Sequence, residues 1–204
     1  LASIDAAHDL GIFEIGGAYR FAHSRLGGSS FLTLNQFSPS FSRFFGDSIY
    51  VRGEYTYTDR NFVGRTDRDG KSNAAAGDLY YFMNGASTYV ALGYRYEKEN
   101  TEDPQFDFKG DAFRIRFSQR FPAGSRDGHF RVGYRYEIRD YSSITPSIGV
   151  LREDKRHRFN AELEVPLGKA LFARLNAEYG DFQSNLPAAD FDQTVVSARL
   201  GLRF

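Results

Sequence analysis

Arg95 and Glu97 stand two residues apart inside Gly93-Tyr94-Arg95-Tyr96-Glu97, and the same five residues return as Gly133-Tyr134-Arg135-Tyr136-Glu137. Opposite charges at that spacing share one face of an extended chain, while the tyrosines between them share the other. Such a charged face can form ion pairs or line a hydrated path. The histidines offer less. His157 lies in Arg152-Glu153-Asp154-Lys155-Arg156-His157-Arg158, with no Asp two positions before it. His23 and Ser24 are adjacent, so a strand sends them to opposite faces. His8 and His129 sit beside predicted turns. Asp67-Arg68-Asp69-Gly70 has some calcium-loop character, but its basic neighbours and the lack of a later Glu in register make it a solvated turn. Cysteine is absent, which excludes disulfides and thiolate sites. The sequence therefore assigns no catalytic residue, metal site or cofactor.

The elements carrying these charges repeat. Looser copies of the pentapeptide are Gly17-Ala18-Tyr19-Arg20 and Gly53-Glu54-Tyr55-Thr56-Tyr57, and a degenerate one is Ala177-Glu178-Tyr179-Gly180. Gly53, Gly93 and Gly133 lie 40 residues apart, the length of an up-strand, a loop, a down-strand and a turn. Alternation predicts strands around Phe13–Phe21, Ser30–Phe41, Ile49–Asn61, Gly77–Met83, Thr88–Lys98, Phe113–Phe121, Phe130–Ile138, Phe159–Val165, Leu171–Tyr179 and Val196–Phe204. The facing of Gly77–Met83 is ambiguous. Phe106 and Phe108 have the opposite parity to Phe113, which predicts a bulge near Gly110. Asn84-Gly85 and Pro166–Lys169 are tight turns, and Asn61–Ala76, Glu99–Pro104, Ser142–Glu153 and Asn185–Asp190 are loops.

A β-propeller blade has a similar period, but its strands are nearer five or six residues long. Most of these are about 9 to 14, the length that crosses a bilayer. Mean hydropathy is −0.48, which suits a transmembrane barrel because every second residue faces a polar lumen. The expected fold is all-β, an antiparallel up-and-down transmembrane β-barrel of about ten strands over residues 10–204. Residues 1–9 are expected to be a linker or short helix. Formal net charge is zero, which gives nucleic acid no global basic field. The sequence starts at Leu1 without an initiator Met or signal peptide, so a mature form or a fragment is expected, with room for a periplasmic domain or partner upstream of Leu1.

Short connections of such barrels face the periplasm and long ones the outside, which with ten strands places both termini in the periplasm. Tyr55, Tyr57, Tyr94, Tyr96, Tyr134, Tyr136 and Tyr179 then lie at the outer membrane interface, and Phe121 and Phe204 at the inner one. Arg52, Glu54, Arg95, Glu97, Arg114, Arg116, Arg131, Arg135, Glu137, Arg174 and Arg199 line the lumen. The arginine excess suggests an anion-preferring, water-filled path. Cross-lumen ion pairs would instead close the barrel.

Phe191-Asp192-Gln193-Thr194-Val195-Val196-Ser197-Ala198-Arg199-Leu200-Gly201-Leu202-Arg203-Phe204 resembles the closing strand of a Gram-negative outer-membrane barrel. With the Ser184-Asn185 loop, this tail resembles the C-terminal barrels of surface lipoprotein assembly modifiers and polysaccharide exporters, which follow periplasmic helical repeats. The resemblance implies a bacterial outer-membrane location, contact with outer-membrane lipid and insertion by the barrel-assembly machinery. It also implies a pore or the membrane exit of a transport or secretion protein. A closed structural or adhesive barrel is the alternative, and an outer-membrane enzyme of omptin or lipase type is third.

Overall fold

The structure, a computed structural model, describes residues 1–124 and 126–202. Eleven strands form one sheet in chain order: β1 Ala2–Asp9, β2 Glu14–Leu26, β3 Ser29–Phe45, β4 Ile49–Phe62, β5 Gly70–Phe82, β6 Thr88–Thr101, β7 Phe108–Ala123, β8 Arg126–Thr145, β9 Val150–Pro166, β10 Leu171–Ser184 and β11 Phe191–Leu202. Each pairs antiparallel with its sequence neighbours. Among the described residues, no ladder joins β1 to β11. Arg203 and Phe204, the latter expected at the inner interface, lie outside the described residues.

The architecture is the expected up-and-down one with an additional strand. Residues expected as a linker or short helix form β1, which is zipped onto β2 from Ala2↔Phe21 to Asp9↔Glu14. Ala2, Ile4, Ala6 and His8 alternate with Ser3, Asp5, Ala7 and Asp9, a contrast too weak to read as amphipathic. The ladder to β2 makes the strand, not the side chains. Eleven strands also put Ala2 and Leu202 at opposite ends of the sheet, so they cannot share one side as a count of ten implied. The expected bulge near Gly110 is absent. The β6–β7 and β7–β8 registers run unbroken there, and Phe108 simply faces the polar side, buried at 6% exposure. Register shifts occur instead at Ser24/Arg25 and between Asp140 and Ile144.

Burial is inverted relative to a water-soluble protein. Ser38, Thr56, Ser72, Ser118, Glu137, Asp154 and Glu164 are buried, while Phe41, Leu79, Leu92, Ile115, Phe159, Leu175 and Leu200 are exposed on the other face. Side chains crowd on the inside of a curved sheet and spread on its outside. The polar face is therefore the concave, inward one, and the apolar face is convex and outward. A continuous apolar exterior of this extent is stable only against lipid.

The tyrosines align the copies, and the glycines do not. Gly93 and Gly133 face inward, but Gly53 faces outward, where the Phe41 ring occupies the space of its missing Cβ. Following the register, Tyr19 reaches Tyr57 through Phe37, Tyr55 reaches Tyr96 through Ala75, Tyr94 reaches Tyr136 through Phe113, and Tyr134 reaches Tyr179 through Phe159. The degenerate last copy has a single tyrosine; in the first three links the first tyrosine of a copy thus meets the second of the next, a stagger of two residues per two strands. That is about 6.6 Å along the strand for about 9.6 Å across it, a tilt of about 35°. Membrane barrels tilt by about 35–45°. Depth and register agree only if the strands slant as barrel strands do.

Candidate functional site

The inward face holds every lumen residue named from the sequence, together with several that were not. One register row crosses the whole sheet: Asp9, Glu14, Ser42, Arg52, Asp78, Gly93, Arg114, Arg135, Arg158, Gly180 and Gln193. It begins with carboxylates and carries three arginines on the consecutive strands β7, β8 and β9. Arg116 lies one inward row and Arg131 two rows nearer the β7–β8 turn, and Arg95, Glu97 and Glu137 lie toward the opposite end. Arg174 sits opposite Arg199 on β10 and β11.

The ion pairs hug the wall. Arg52 holds Glu54 at 2.7 Å, Arg95 holds Glu97 at 3.5 Å, and Arg135 and Arg139 hold Glu137 at 2.8 and 2.7 Å. Arg131 reaches Glu162 at 3.2 Å, and Arg174 pairs with Glu164. Among the described residues, every recorded pair joins one strand, neighbouring strands or strands one apart, so none crosses the lumen. No ion pair is recorded for Arg116, Arg158 or Arg199. Arg158 instead lies 5.3 Å over the Phe182 ring.

Asp78 supplies an anchor that the sequence did not reveal. Its carboxylate accepts from Arg114 Nε and Nη2 at 3.0 and 2.5 Å across the intervening β6. The bridge passes over Gly93, where a Cβ would stand 2.4 Å from Arg114 Nε and 2.5 Å from Asp78 Oδ1. The pentapeptide glycine is thus a slot for a neighbour's arginine. Gly133 serves similarly for Asn160, whose Oδ1 would lie 2.5 Å from an added Cβ.

A second anchor is Asp154, 2% exposed. Arg152 Nε and Nη2 donate to it at 2.8 Å each, Ser184 Oγ at 2.7 Å and Arg156 Nη2 at 3.3 Å. Arg156 also approaches Glu137 at 3.5 Å, which links the two networks. β8 is 20 residues long, about twice what a bilayer needs. Beyond the tyrosines the outward face turns charged, with Asp59, Lys71, Lys98, Lys109, Asp140, Glu153 and Lys155. Asp154, flanked by two of these, therefore stands beyond the apolar band. Burial alone would push its carboxyl up, but the hydrogen bonds from Arg152 and Ser184 and the charges of Arg152 and Arg156 hold it below the usual carboxylate range.

Near the short-turn end, the inward face becomes aromatic. Phe44, Tyr50, Tyr80, Phe82 and Tyr89 form one cluster with ring centroids 4.7–6.2 Å apart. The signal for it was present in Leu79-Tyr80-Tyr81-Phe82, where both faces are apolar and the facing is unreadable by alternation.

All seven predicted interface tyrosines face outward, and four copies share a contact. Tyr19 donates to Asn35 Oδ1 at 2.7 Å, Tyr55 to Asn73 Oδ1 at 2.5 Å, Tyr94 to Asp111, and Tyr134 hydrogen-bonds His157 Nδ1 at 2.8 Å. Each partner lies beside the next aromatic of the copy: Phe21, Tyr57, Tyr96 or Tyr136. The apolar ring stays in the band and the hydroxyl meets the first polar residue above it, the division expected at a headgroup boundary. Phe121 lies at the other end, over Gly128.

His157 is thus a tyrosine partner, and His23 hydrogen-bonds Thr33 and Ser30 at 3.3 and 3.4 Å. His129 Nε2 lies 2.9 Å from Ser118 Oγ, the separation of a nucleophile and its base. Ser118, however, is only 2% exposed, so its hydroxyl is closed to a substrate.

A family model described as surface lipoprotein assembly modifier matches residues 18–204. A comparison with curated proteins gives no match. Among solved structures, a loop-L8 deletion mutant of OmpT, an outer membrane protein of Vibrio cholerae, matches with a TM-score of 0.62 at 12% identity, over 98% of this chain and 62% of that one. Outer-membrane expressed OmpT of Vibrio cholerae gives 0.58 at 12% identity, over 98% and 63%. Acinetobacter baumannii OccAB3 gives 0.56 at 14% identity, over 98% and 53%. The chain therefore spans less than two thirds of the length of these barrels, and at such identities the likeness concerns the fold. Inverted burial and the family match agree: the chain belongs to the surface lipoprotein assembly modifier family and is an outer-membrane β-barrel of Gram-negative type.

Proposed function

We propose that this barrel is the membrane exit of a surface lipoprotein assembly modifier, and that its lumen is a hydrated path favouring anions. The observation that carries the reading is the row Arg114–Arg135–Arg158. Like charges directly opposite on neighbouring strands destabilise a sheet. Only Arg114 and Arg135 have acids recorded, leaving Arg158 and the nearby Arg116 as uncompensated cations. Uncompensated charge on an inward face is tolerable in water and costly in a dry, filled interior. The wall-bound ion pairs support the same reading, because they leave the middle of the lumen unbridged. Short connections are placed in the periplasm and the loops following β4, β6 and β10 outside, with lipid and the barrel-assembly machinery as partners.

A closed, salt-bridged interior is the second reading, favoured by the linked Glu137 and Asp154 networks. Reversal potentials across planar bilayers under a potassium chloride gradient separate the two. An anion-selective current is expected, with the anion preference falling about severalfold in the Arg114→Ala, Arg135→Ala, Arg158→Ala triple variant. Cation selectivity, or no conductance from a protein that inserts, overturns the proposal. Loss of surface-displayed lipoprotein when the barrel is deleted tests the exit role separately.

A further inference from the structure

The aromatic cluster at the short-turn end borders a recess of about 650 Å³, closed on one side by Asp9 and Glu14. That volume is in the range of small-molecule sites. Its chemistry differs from the rest of the inward face. Asp9 and Glu14 are register partners, and no ion pair is recorded for either among the described residues. Arg52, inward on β4, is engaged by Glu54 at 2.7 Å, and Arg43, which also borders the recess, carries its guanidinium over the outward Phe45 ring at 4.7 Å. The recess therefore combines π-faces with two carboxylates free of cationic partners.

The rings are not one flat shelf. Tyr80 and Phe82 are nearly parallel at 14°, whereas Tyr50 is inclined to Tyr80 by 62° and Tyr89 to Phe82 by 59°. A compact cation needs several differently inclined faces and a counter-charge, which is how aromatic cages take quaternary ammonium groups. We propose that this recess is a binding site for an organic cation of the alkylammonium class, formed by Tyr50, Tyr80, Phe82 and Tyr89 with Asp9 and Glu14 supplying the charge. It does not depend on the anion-path reading, because it occupies other strands and the opposite charge.

The test uses choline and its uncharged carbon isostere, titrated by calorimetry into the full chain in octyl-polyoxyethylene micelles, which contain neither choline nor sugar. Saturable choline binding is expected, at least about fivefold tighter than the isostere. Tyr80→Leu should weaken it by about tenfold, as should Asp9→Asn with Glu14→Gln, while Tyr80→Phe keeps the π-face and retains binding. Each variant is first checked for the heat-dependent gel mobility of a folded barrel, and the Asp9→Asn, Glu14→Gln variant carries the expected loss if Tyr80→Leu fails to fold. Equal binding of the isostere, binding of methyl glucoside in place of choline, or no saturable choline binding to the folded parent chain would overturn the site.

Discussion

On β1–β5 the inward face carries the carboxylates Asp5, Asp9, Glu14, Glu54 and Asp78, with Arg20, Arg52 and Arg60, among serine and threonine hydroxyls and aromatic rings; on β7–β9 arginines are in excess, with Arg114, Arg116, Arg131, Arg135, Arg139, Arg156 and Arg158 and acids buried between them. The outward face shows no such division. Tyrosines and aliphatic residues recur on both halves at the same depth. Lipid presents one solvent to every strand and so imposes one pattern, whereas the inward face meets only water, solute and its own neighbours. The repeated copies make the point locally. Tyr55, Tyr94 and Tyr134 occupy equivalent outward sites, while the inward residue following each is Thr56, Arg95 or Arg135. The repeat therefore fixes depth and leaves the wall chemistry free to differ.

The largest expected effect comes from removing the acid that lets the arginine half exist. Asp154→Ala leaves Arg152 and Arg156 without their buried partner and should destabilise the barrel by about 3–5 kcal/mol, read as urea unfolding in micelles. The same carboxylate predicts a pH dependence. Its folded pKa is lowered, so its stabilisation is complete well above the unfolded value of about 3.9. It is then lost as pH falls through that value toward the folded one. The unfolding midpoint of the parent chain should fall on acidification through that window. Asp154→Asn should start lower and fall less, and an equal fall in both would remove Asp154 as the cause.

Gly93 joins the halves, since its bare Cα lets Arg114 on β7 reach Asp78 on β5. Gly93→Ala should cost about 1–3 kcal/mol by overpacking, because neither charged end can retreat without breaking the bridge. Gly16→Ala, on the acid half, has Ala6 O and Ala7 Cβ at ordinary contact distances of 3.5 and 3.8 Å and is crowded by the Ser40 hydroxyl at 2.9 Å. That small side chain can rotate away, so the cost should be smaller. Equal costs in parallel urea titrations would mean that the Arg114–Asp78 bridge does not brace the wall.

Alternation made most of this legible in advance. Wherever one residue in two was Phe, Tyr, Leu or Val and the other Arg, Glu or Asn, both the strand and its facing were readable. It failed at β1, where Ala, Ser and Asp give no contrast, and at the start of β5, where Gly70-Lys71-Ser72-Asn73 has loop composition but pairs with both β4 and β6. The inward-facing residues could be named, but not their partners. Arg114 and Asp78 are 36 residues apart, and only the register brings them together. Asp154 resembled a surface charge in a basic run until β8 and β10 closed around it. The aromatic recess was hidden because rings on both faces of β5 cancel the period that reveals facing.

The tyrosine contacts give the smallest and most discriminating test, because they concern the face on which the two halves agree. Tyr134→Phe removes only the hydroxyl and leaves the ring against Phe159, at a centroid distance of 4.6 Å. It should cost about 1 kcal/mol, compared with near zero for Tyr57→Phe, for which no hydroxyl partner is recorded among the described residues. Tyr55→Phe, on the acid half, should match Tyr134→Phe if the outward face is uniform. A clear difference between Tyr55→Phe and Tyr134→Phe would show that the division of the inward wall extends through the sheet. Equality would confine it to the side that meets water.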